Sequence, residues 1–308
     1  FIEAGGKFAI FSPGFSTSYF VRNHQKMVIA DDRTALIGGF NIANEYFNLQ
    51  QPDSDGHPSD NSWEDLGLAI EGPEVANLAS YYRVLSNWVQ QRNGDMRSLR
   101  KMVRHWDPGE GQFRWLLGGP SNRISRWAAA IKKDLEMGSR LDLVTAYFSP
   151  GQGLLRRIGG LSKRGGTSRL MLPGKTDNGA TIGASRLLYG YLLKRRARIF
   201  EYQPRRLHTK LVIVDDAVYI GSANFDLRSL FINVEMMLRI DDAGFADHAR
   251  TVIDMLEEKG ERITPELHRS RRTFLNRLRW TLSYFLVNTL DYRITRRFNF
   301  GSGNRPSE

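Results

Sequence analysis

His24-Gln25-Lys26-Met27-Val28-Ile29-Ala30-Asp31 and His208-Thr209-Lys210-Leu211-Val212-Ile213-Val214-Asp215 share one pattern, His-x-Lys-x4-Asp, 184 positions apart. Each is followed by a small-residue turn ending in asparagine, Gly38-Gly39-Phe40-Asn41 and Gly221-Ser222-Ala223-Asn224. An internal repeat of this kind says that the chain builds one structural unit twice. Met27–Ile29 and Leu211–Val214 are short apolar runs rich in β-branched residues and bounded by Asp-Asp turns, the pattern of strands. Residues two apart in a strand face the same way. His24 and Lys26 are therefore expected on one side of their strand, and His208 and Lys210 on one side of theirs. Two such halves bring two imidazoles and two ammonium groups to one site.

The similarity runs past the motifs. Asn233-Val234-Glu235-Met236-Met237-Leu238-Arg239-Ile240 lies over Trp63-Glu64-Asp65-Leu66-Gly67-Leu68-Ala69-Ile70 without a gap, so Glu235 matches Asp65. An amphipathic helix follows each, from Glu74 to Val89 and from Ala243 to Glu258. The first half carries an extra polar loop, Leu49 to Ser62, expected to be exposed. Before His208, strands and helices alternate: Phe113–Leu117, Arg123–Glu136, Leu141–Phe148, Gly153–Lys163, Ser168–Leu172, Ala184–Arg195 and Ala197–Tyr202. That alternation predicts an α/β fold with a mixed sheet flanked by helices in each of two pseudo-symmetric halves. The second lead-in, from Phe113, is 95 residues long, against 23 residues before His24. Only Lys7–Phe11 is left to stand for the last lead-in strand of the first half. The first half is thus expected to be truncated at its N-terminal side, and the chain reads as a fragment of a longer protein. The expected division is a partial first half at 1–111, a second half at 112–258, and a basic, aromatic tail at 259–308.

Composition bounds the partners. The chain of 308 residues is 41% hydrophobic and 25% charged, ordinary for a globular protein. It has no cysteine, which excludes disulfides and thiolate metal sites. A net charge of +11 favours an anionic partner. No apolar run approaches the roughly 18 residues of a membrane-spanning helix. Trp280–Leu290 is apolar and aromatic, with Arg269, Arg271, Arg272, Arg277 and Arg279 before it and Arg293, Arg296 and Arg297 after it. It fits either a helix in an anionic membrane interface or a terminal helix packed on the body. Gly301 to Glu308 read as a disordered end.

These motifs resemble those of the phospholipase D superfamily, and within it the bacterial cardiolipin synthases. The resemblance rests on Arg22-Asn23-His24 with Gly38-Gly39-Phe40-Asn41-Ile42, and on Trp63-Glu64-Asp65 with Ile70-Glu71-Gly72-Pro73. In the second half it rests on Ala146-Tyr147-Phe148-Ser149-Pro150, Leu172-Pro173-Gly174-Lys175-Thr176-Asp177, Gly221 to Ser229, and Phe231-Ile232-Asn233-Val234-Glu235. It implies transfer of a phosphatidyl group between phospholipids, phosphatidylglycerol in the typical case, through a phosphohistidine. It also implies a peripheral place on the cytoplasmic side of a bacterial membrane, an anionic membrane surface as partner, and no nucleic acid. No cofactor is implied. The sequence shows no metal-ligand cluster.

Such chemistry needs a nucleophile, a proton donor and positive charge on the phosphoryl oxygens. By family analogy His24 attacks phosphorus and His208 is the acid and base, while Lys26 and Lys210 neutralise charge. Asn41 and Asn224 are expected to bind the phosphate. Glu235 is expected to orient His208, and Asp65 to orient His24, by accepting the Nδ1–H bond. Asp31 and Asp215 complete the catalytic motifs. By strand alternation they point away and are expected to fix the turns. His57, His105, His248 and His268 are expected at the surface. The alternatives are a phospholipase D-type hydrolase releasing phosphatidic acid, a nuclease of the same superfamily, and a catalytically dead membrane scaffold. The last is disfavoured by intact His and Lys in both halves.

Overall fold

The computed structural model describes residues 1–11, 21–47, 62–92, 95–121 and 123–291. The polar loop before Trp63, apart from Ser62, lies outside the described residues, as do His57, Arg293, Arg296, Arg297 and the last eight residues.

The first half contributes β1 (Met27–Ala30), β2 (Thr34–Gly38), β3 (Trp63–Glu64) and β4 (Gly67–Glu71), then helices α1 (Glu74–Arg92) and α2 (Met96–His105). Strands β1, β2 and β4 form an antiparallel sheet in that order. The second half opens with β5 (Phe113–Gly118), α3 (Arg126–Met137), β6 (Arg140–Val144), β7 (Phe148–Ser149) and α4 (Gln152–Leu161). It continues through β8 (Thr167–Pro173), α5 (Gly179–Leu193), β9 (Arg198–Tyr202), β10 (Arg206–Leu207), β11 (Leu211–Val214), β12 (Ala217–Gly221) and β13 (Phe225–Asp226). After them come α6 (Leu227–Phe231), β14 (Glu235–Asp241), α7 (Ala243–Glu258), β15 (Gly260–Ile263), α8 (Pro265–Arg271) and α9 (Phe274–Tyr284).

Eight of these strands make one mixed sheet in the order β15-β9-β8-β6-β11-β12-β14-β5. The neighbours β6, β8 and β9 run parallel, joined by crossover helices, and the remaining pairs are antiparallel. The expected α/β fold with a mixed sheet is therefore present. Side chains alternate across the sheet as the two-residue period requires. In β11, Val212 and Val214 pack with Trp127, Ile131, Leu154 and Leu188 of α3, α4 and α5. Leu211 and Ile213 face the other way and share a core with Ile253 of α7, Leu78 and Tyr81 of α1, and Ile37 of β2. The two halves thus meet through one continuous apolar core.

The segment Lys7–Phe11 forms no strand. A strand is stable only with a hydrogen-bonded neighbour. In the second half β9 has β8 beside it, whereas the three-stranded sheet has no equivalent of β8 among the described residues. Phe11 instead packs its ring 5.4 Å from Trp88. The stretch after Glu258 begins with β15, which pairs with β9 at the edge of the large sheet. Helix α9 then lies along α5, with Trp280 and Ser283 buried.

Both motif turns sit at hairpin tips. Ala30 pairs with Thr34 across Asp31-Asp32-Arg33, and Val214 with Ala217 across Asp215-Asp216. Asp31 (φ 51°) and Asp215 (φ 49°) both adopt the left-handed conformation, which aspartate tolerates better than most residues. The one extra residue in the first turn explains why Asn41 follows its histidine by one position more than Asn224 does.

Candidate active site

The histidines and lysines occupy extended backbone just ahead of β1 and β11. Each approach segment is pinned by the opposite half. Arg206 and Leu207 of β10 pair in parallel with Trp63 and Glu64 of β3, and the His208 amide donates to the Glu64 carbonyl at 2.7 Å. Asn23 bridges to Val234 in the same parallel sense, with the His24 amide donating to the Val234 carbonyl at 2.9 Å. Glu64 immediately precedes Asp65, and Val234 immediately precedes Glu235. Each histidine is therefore delivered beside the acid of the other half.

The side chains follow. His24 Nδ1 lies 3.1 Å from Glu235 Oε2, and His208 Nδ1 lies 2.7 Å from Asp65 Oδ2. Both acids are in the site, but the pairing is the reverse of the one expected from the repeat, in which each acid served its own half. Parallel pairing across the pseudo-symmetry exchanges the partners. With Nδ1–H donating to a carboxylate, each ring leaves Nε2 as the free nitrogen.

Glu235 is fully buried. It accepts from Ser222 Oγ at 2.5 Å, Ser229 Oγ at 2.8 Å and Asn233 Nδ2 at 3.4 Å, besides His24. Burial pushes its carboxyl up, but His24 and the two hydroxyls outweigh this and hold it below the usual range. Asp65 accepts from the Leu66 amide at 2.8 Å. A Cβ on Gly39 would stand 2.8 Å from both Asp65 oxygens and 2.9 Å from Lys210 Cδ, so this turn must be glycine for the acid to reach His208.

Lys26 Nζ donates to the His24 carbonyl at 2.7 Å, and Lys210 Nζ to the His208 carbonyl. Burial lowers Lys26 to about 8, against the pull of Glu235 and Asp65. It lowers Lys210 to about 7, with Asp65 opposing and Lys26 adding to the fall. Burial also lowers His208 to about 4, helped by Lys210 and His24 and opposed by Asp65. These mutual influences place both histidines, both lysines and both acids in one cluster.

Asn224 is buried, and its Oδ1 has no hydrogen-bond partner among the described residues. Asn41 is exposed at the rim, its Nδ2 3.4 Å from the Tyr46 hydroxyl. Asp31 and Asp215 lie away from the cluster. The Asp215 carboxylate accepts from the Ser139 and Arg140 amides, closing its turn against α3 and β6.

Two aromatic residues were not anticipated as part of the site. Tyr46 and Trp63 stack on each other at 5.9 Å, and both meet the His208 ring edge-on, at 5.3 and 5.1 Å. The Tyr46 hydroxyl lies 3.4 Å from His208 Nδ1. The wall is one-sided: the His208 side chain is 7% exposed and that of His24 25%. Trp63 has no aromatic counterpart in the repeat, since Asn233 aligns with it, and that difference is the signal that could have found it. His105 and His248 are exposed, but His268 is buried, stacked on Trp280 at 5.6 Å, because α9 folds back over α8.

Residues 131–256 match the family described as cardiolipin synthase, PLD-like domain. That stretch, which holds the second motif, is similar to the phospholipase D-like family. It is 28% identical over 299 residues to cardiolipin synthase B of Salmonella typhi, covering 92% of this chain and 69% of that protein. It is 30% identical over 248 residues to cardiolipin synthase A of Pseudomonas putida (strain W619), covering 80% of this chain. The chain spans about half the length of this second relative, at 49%. Among solved structures, the phosphatidylserine synthase of Haemophilus influenzae has the same fold, with a TM-score of 0.68 and 16% identity over 91% of this chain and 72% of that one. The phospholipase D-like fold accounts for the duplicated motif and for the large mixed sheet.

Proposed function

We propose that this protein transfers a phosphatidyl group between phospholipids, as its relatives' names suggest, through a phosphohistidine. The observation that carries the reading is the paired cluster, two histidines each anchored at Nδ1 by a carboxylate, with the two motif lysines beside them. The halves are those at 1–111 and 112–258, with phosphatidylglycerol as donor and acceptor.

Attack is assigned here to His208, the reverse of the family analogy. Its buried ring is neutral near pH 7, as a nucleophile must be. Tyr46 and Trp63 shield it, so a phosphorylated His208 is kept from bulk water. In the first step His208 Nε2 bonds to phosphorus and the bond to the headgroup oxygen breaks. Protonated His24 gives its Nε2 proton to the departing alkoxide. In the second, the acceptor hydroxyl attacks phosphorus, neutral His24 takes its proton, and His208 leaves. Lys26, Lys210 and Asn224 stabilise the charged oxygens. Asp65 and Glu235 hold the rings.

The test is incubation with labelled phosphatidylglycerol in mixed micelles. Formation of cardiolipin with release of glycerol, abolished in His208→Ala, is the expected result. Phosphatidic acid alone would make the protein a hydrolase. DNA cleavage without lipid turnover would overturn the lipid reading.

A further inference from the structure

Helix α9 has two faces of different character. On one, Trp280 and Ser283 are buried against α5, so closely that a Cβ on Gly183 would lie 2.5 Å from Ser283 Oγ. On the other, Phe274, Leu275, Leu278 and Leu282 are exposed, and exposed Phe285 and Leu286 carry the stripe on into the π-helical turn Phe285–Asp291 that continues the helix. Phe274 is 80% and Leu275 74% exposed. Six large apolar side chains along one side of a helix form a patch that water does not favour. Arg277 and Arg279 on α9, and Arg272 just before it, are exposed and form no ion pair among the described residues. Among those residues no helix is long and apolar enough to cross a membrane.

The helix is also placed near the site. Gly190 of α5 faces His268, Gly183 faces Ser283 and Gly179 faces Arg279. Arg279 and Ser283 of α9 thus lie beside the N-terminal part of α5. That end follows β8, whose Met171 pairs with Val144, which in turn pairs with Leu211. Helix α9 thus packs beside the end of the sheet from which His208 and Lys210 emerge. Asp177, one residue ahead of the Asn178 cap of α5, accepts from the Tyr147 hydroxyl at 3.3 Å.

We infer that the exposed face of α9 seats the protein on an anionic phospholipid bilayer, with the stripe among the acyl chains and the arginines at the phosphates. The charge decides the occupant. Two copies of this face would bring the unpaired arginines of one against those of the other, which like charges oppose. An anionic surface satisfies both faces of the pattern at once, apolar side chains inward and guanidinium groups at the headgroup level. The seating places the end of the sheet that carries His208 near the layer that contains the phosphodiester. This inference rests on the lipid-transfer reading for its purpose but not for its geometry.

Sedimentation with vesicles of phosphatidylglycerol and phosphatidylcholine tests it. Leu278→Glu with Leu282→Glu lowers binding at least about tenfold, and Arg277→Gln with Arg279→Gln lowers it and flattens its dependence on phosphatidylglycerol content and salt. Both pairs are exposed, and an unchanged melting temperature verifies the fold. Turnover of short-chain, monomeric phosphatidylglycerol stays at the wild-type level, because the cluster is untouched. Unchanged vesicle binding in both double variants overturns the inference. So does a shift from dimer to monomer with binding unchanged, which would make a second copy the occupant. Wild-type protein that binds vesicles but turns over no lipid refutes the proposed function and leaves the seating intact.

Discussion

Glu235, on the strand that closes the second half, anchors His24 of the first, Nδ1 to Oε2 at 3.1 Å. Asp65 reciprocates with His208 at 2.7 Å. Neither half can orient its own histidine. Glu235→Gln is therefore expected to disturb the His24 ring and Asp65→Asn the His208 ring, each across the pseudo-symmetry. Nitrogen-15 spectra of labelled imidazoles distinguish the two. Turnover falls by about 10²–10⁴-fold in either variant, since the ring loses its preferred tautomer. Disturbance of the histidine in the same half instead would refute the crossed arrangement.

Much of this was legible in sequence. The motif spacing placed His24, Lys26, His208 and Lys210, and the ungapped match of Glu235 to Asp65 brought both acids into view. Strand periodicity placed the lead-in of the large sheet nearly element by element. The partner exchange was not legible. A repeat is symmetric on paper, and His24–Asp65 fits its spacing as well as His24–Glu235. Only the parallel pairing of β10 with β3, and of Asn23 with Val234, decides between them. Tyr46 and Trp63 were missed for a related reason. They belong to the half that differs, where the repeat offers no second copy to compare.

The two turn glycines separate function from folding. Gly39→Ala places a methyl against the Asp65 carboxylate and the Lys210 stem, both side chains. Those groups can shift, so the fold survives while Asp65 moves off His208. A fall in kcat of tenfold or more, to an order of magnitude, with a small change in Tm is expected. Gly221→Ala meets the Met236 carbonyl at 2.2 Å, which is backbone inside the central sheet. It is expected to lose stability by roughly 1–3 kcal/mol or more, read from denaturant midpoints.

Acid stability reports on His208. Its pKa is lowered to about 4 in the fold from 6.5 in the free side chain. Between those values the unfolded chain holds a proton that the folded one does not, so stability rises with pH across that window. The contribution is fully present above about pH 6.5 and is lost as pH falls through 4. It is worth about 3 kcal/mol to an order of magnitude. His208→Gln is expected to flatten this slope. Glu235, held below the usual carboxyl range, also loses stability in acid, but only below about pH 4.5. An unchanged slope between pH 6.5 and 4.5 in His208→Gln would show that the ring is protonated in the fold.

The lysines set an alkaline limit. Lys210 and Lys26 are lowered to about 7 and about 8 by burial. Both must carry charge to neutralise the phosphoryl oxygens. In the free enzyme that charge is lost as pH rises through these values, so kcat/KM is expected to fall on that side. A bound phosphodiester anion favours the ammonium form. The same limb in kcat therefore lies at higher pH. Identical limbs in the two profiles would mean that the lysines do not face the phosphate.

The aromatic wall bears on the choice between transfer and hydrolysis. Tyr46 and Trp63 meet the His208 ring edge-on and keep it 7% exposed. A covalent intermediate on that ring is discharged by whichever hydroxyl reaches phosphorus, and water is the smallest and most abundant competitor. Trp63→Ala opens the wall without removing a charge from the cluster. It is expected to raise the phosphatidic acid formed per transfer product several-fold, while total turnover falls less than tenfold. Tyr46→Phe, which keeps the ring and loses only the hydroxyl 3.4 Å from Nδ1, leaves that ratio near the wild-type value. Product analysis with labelled phosphatidylglycerol reads both numbers at once. A ratio unchanged in Trp63→Ala would move the intermediate to His24, whose ring the wall does not cover.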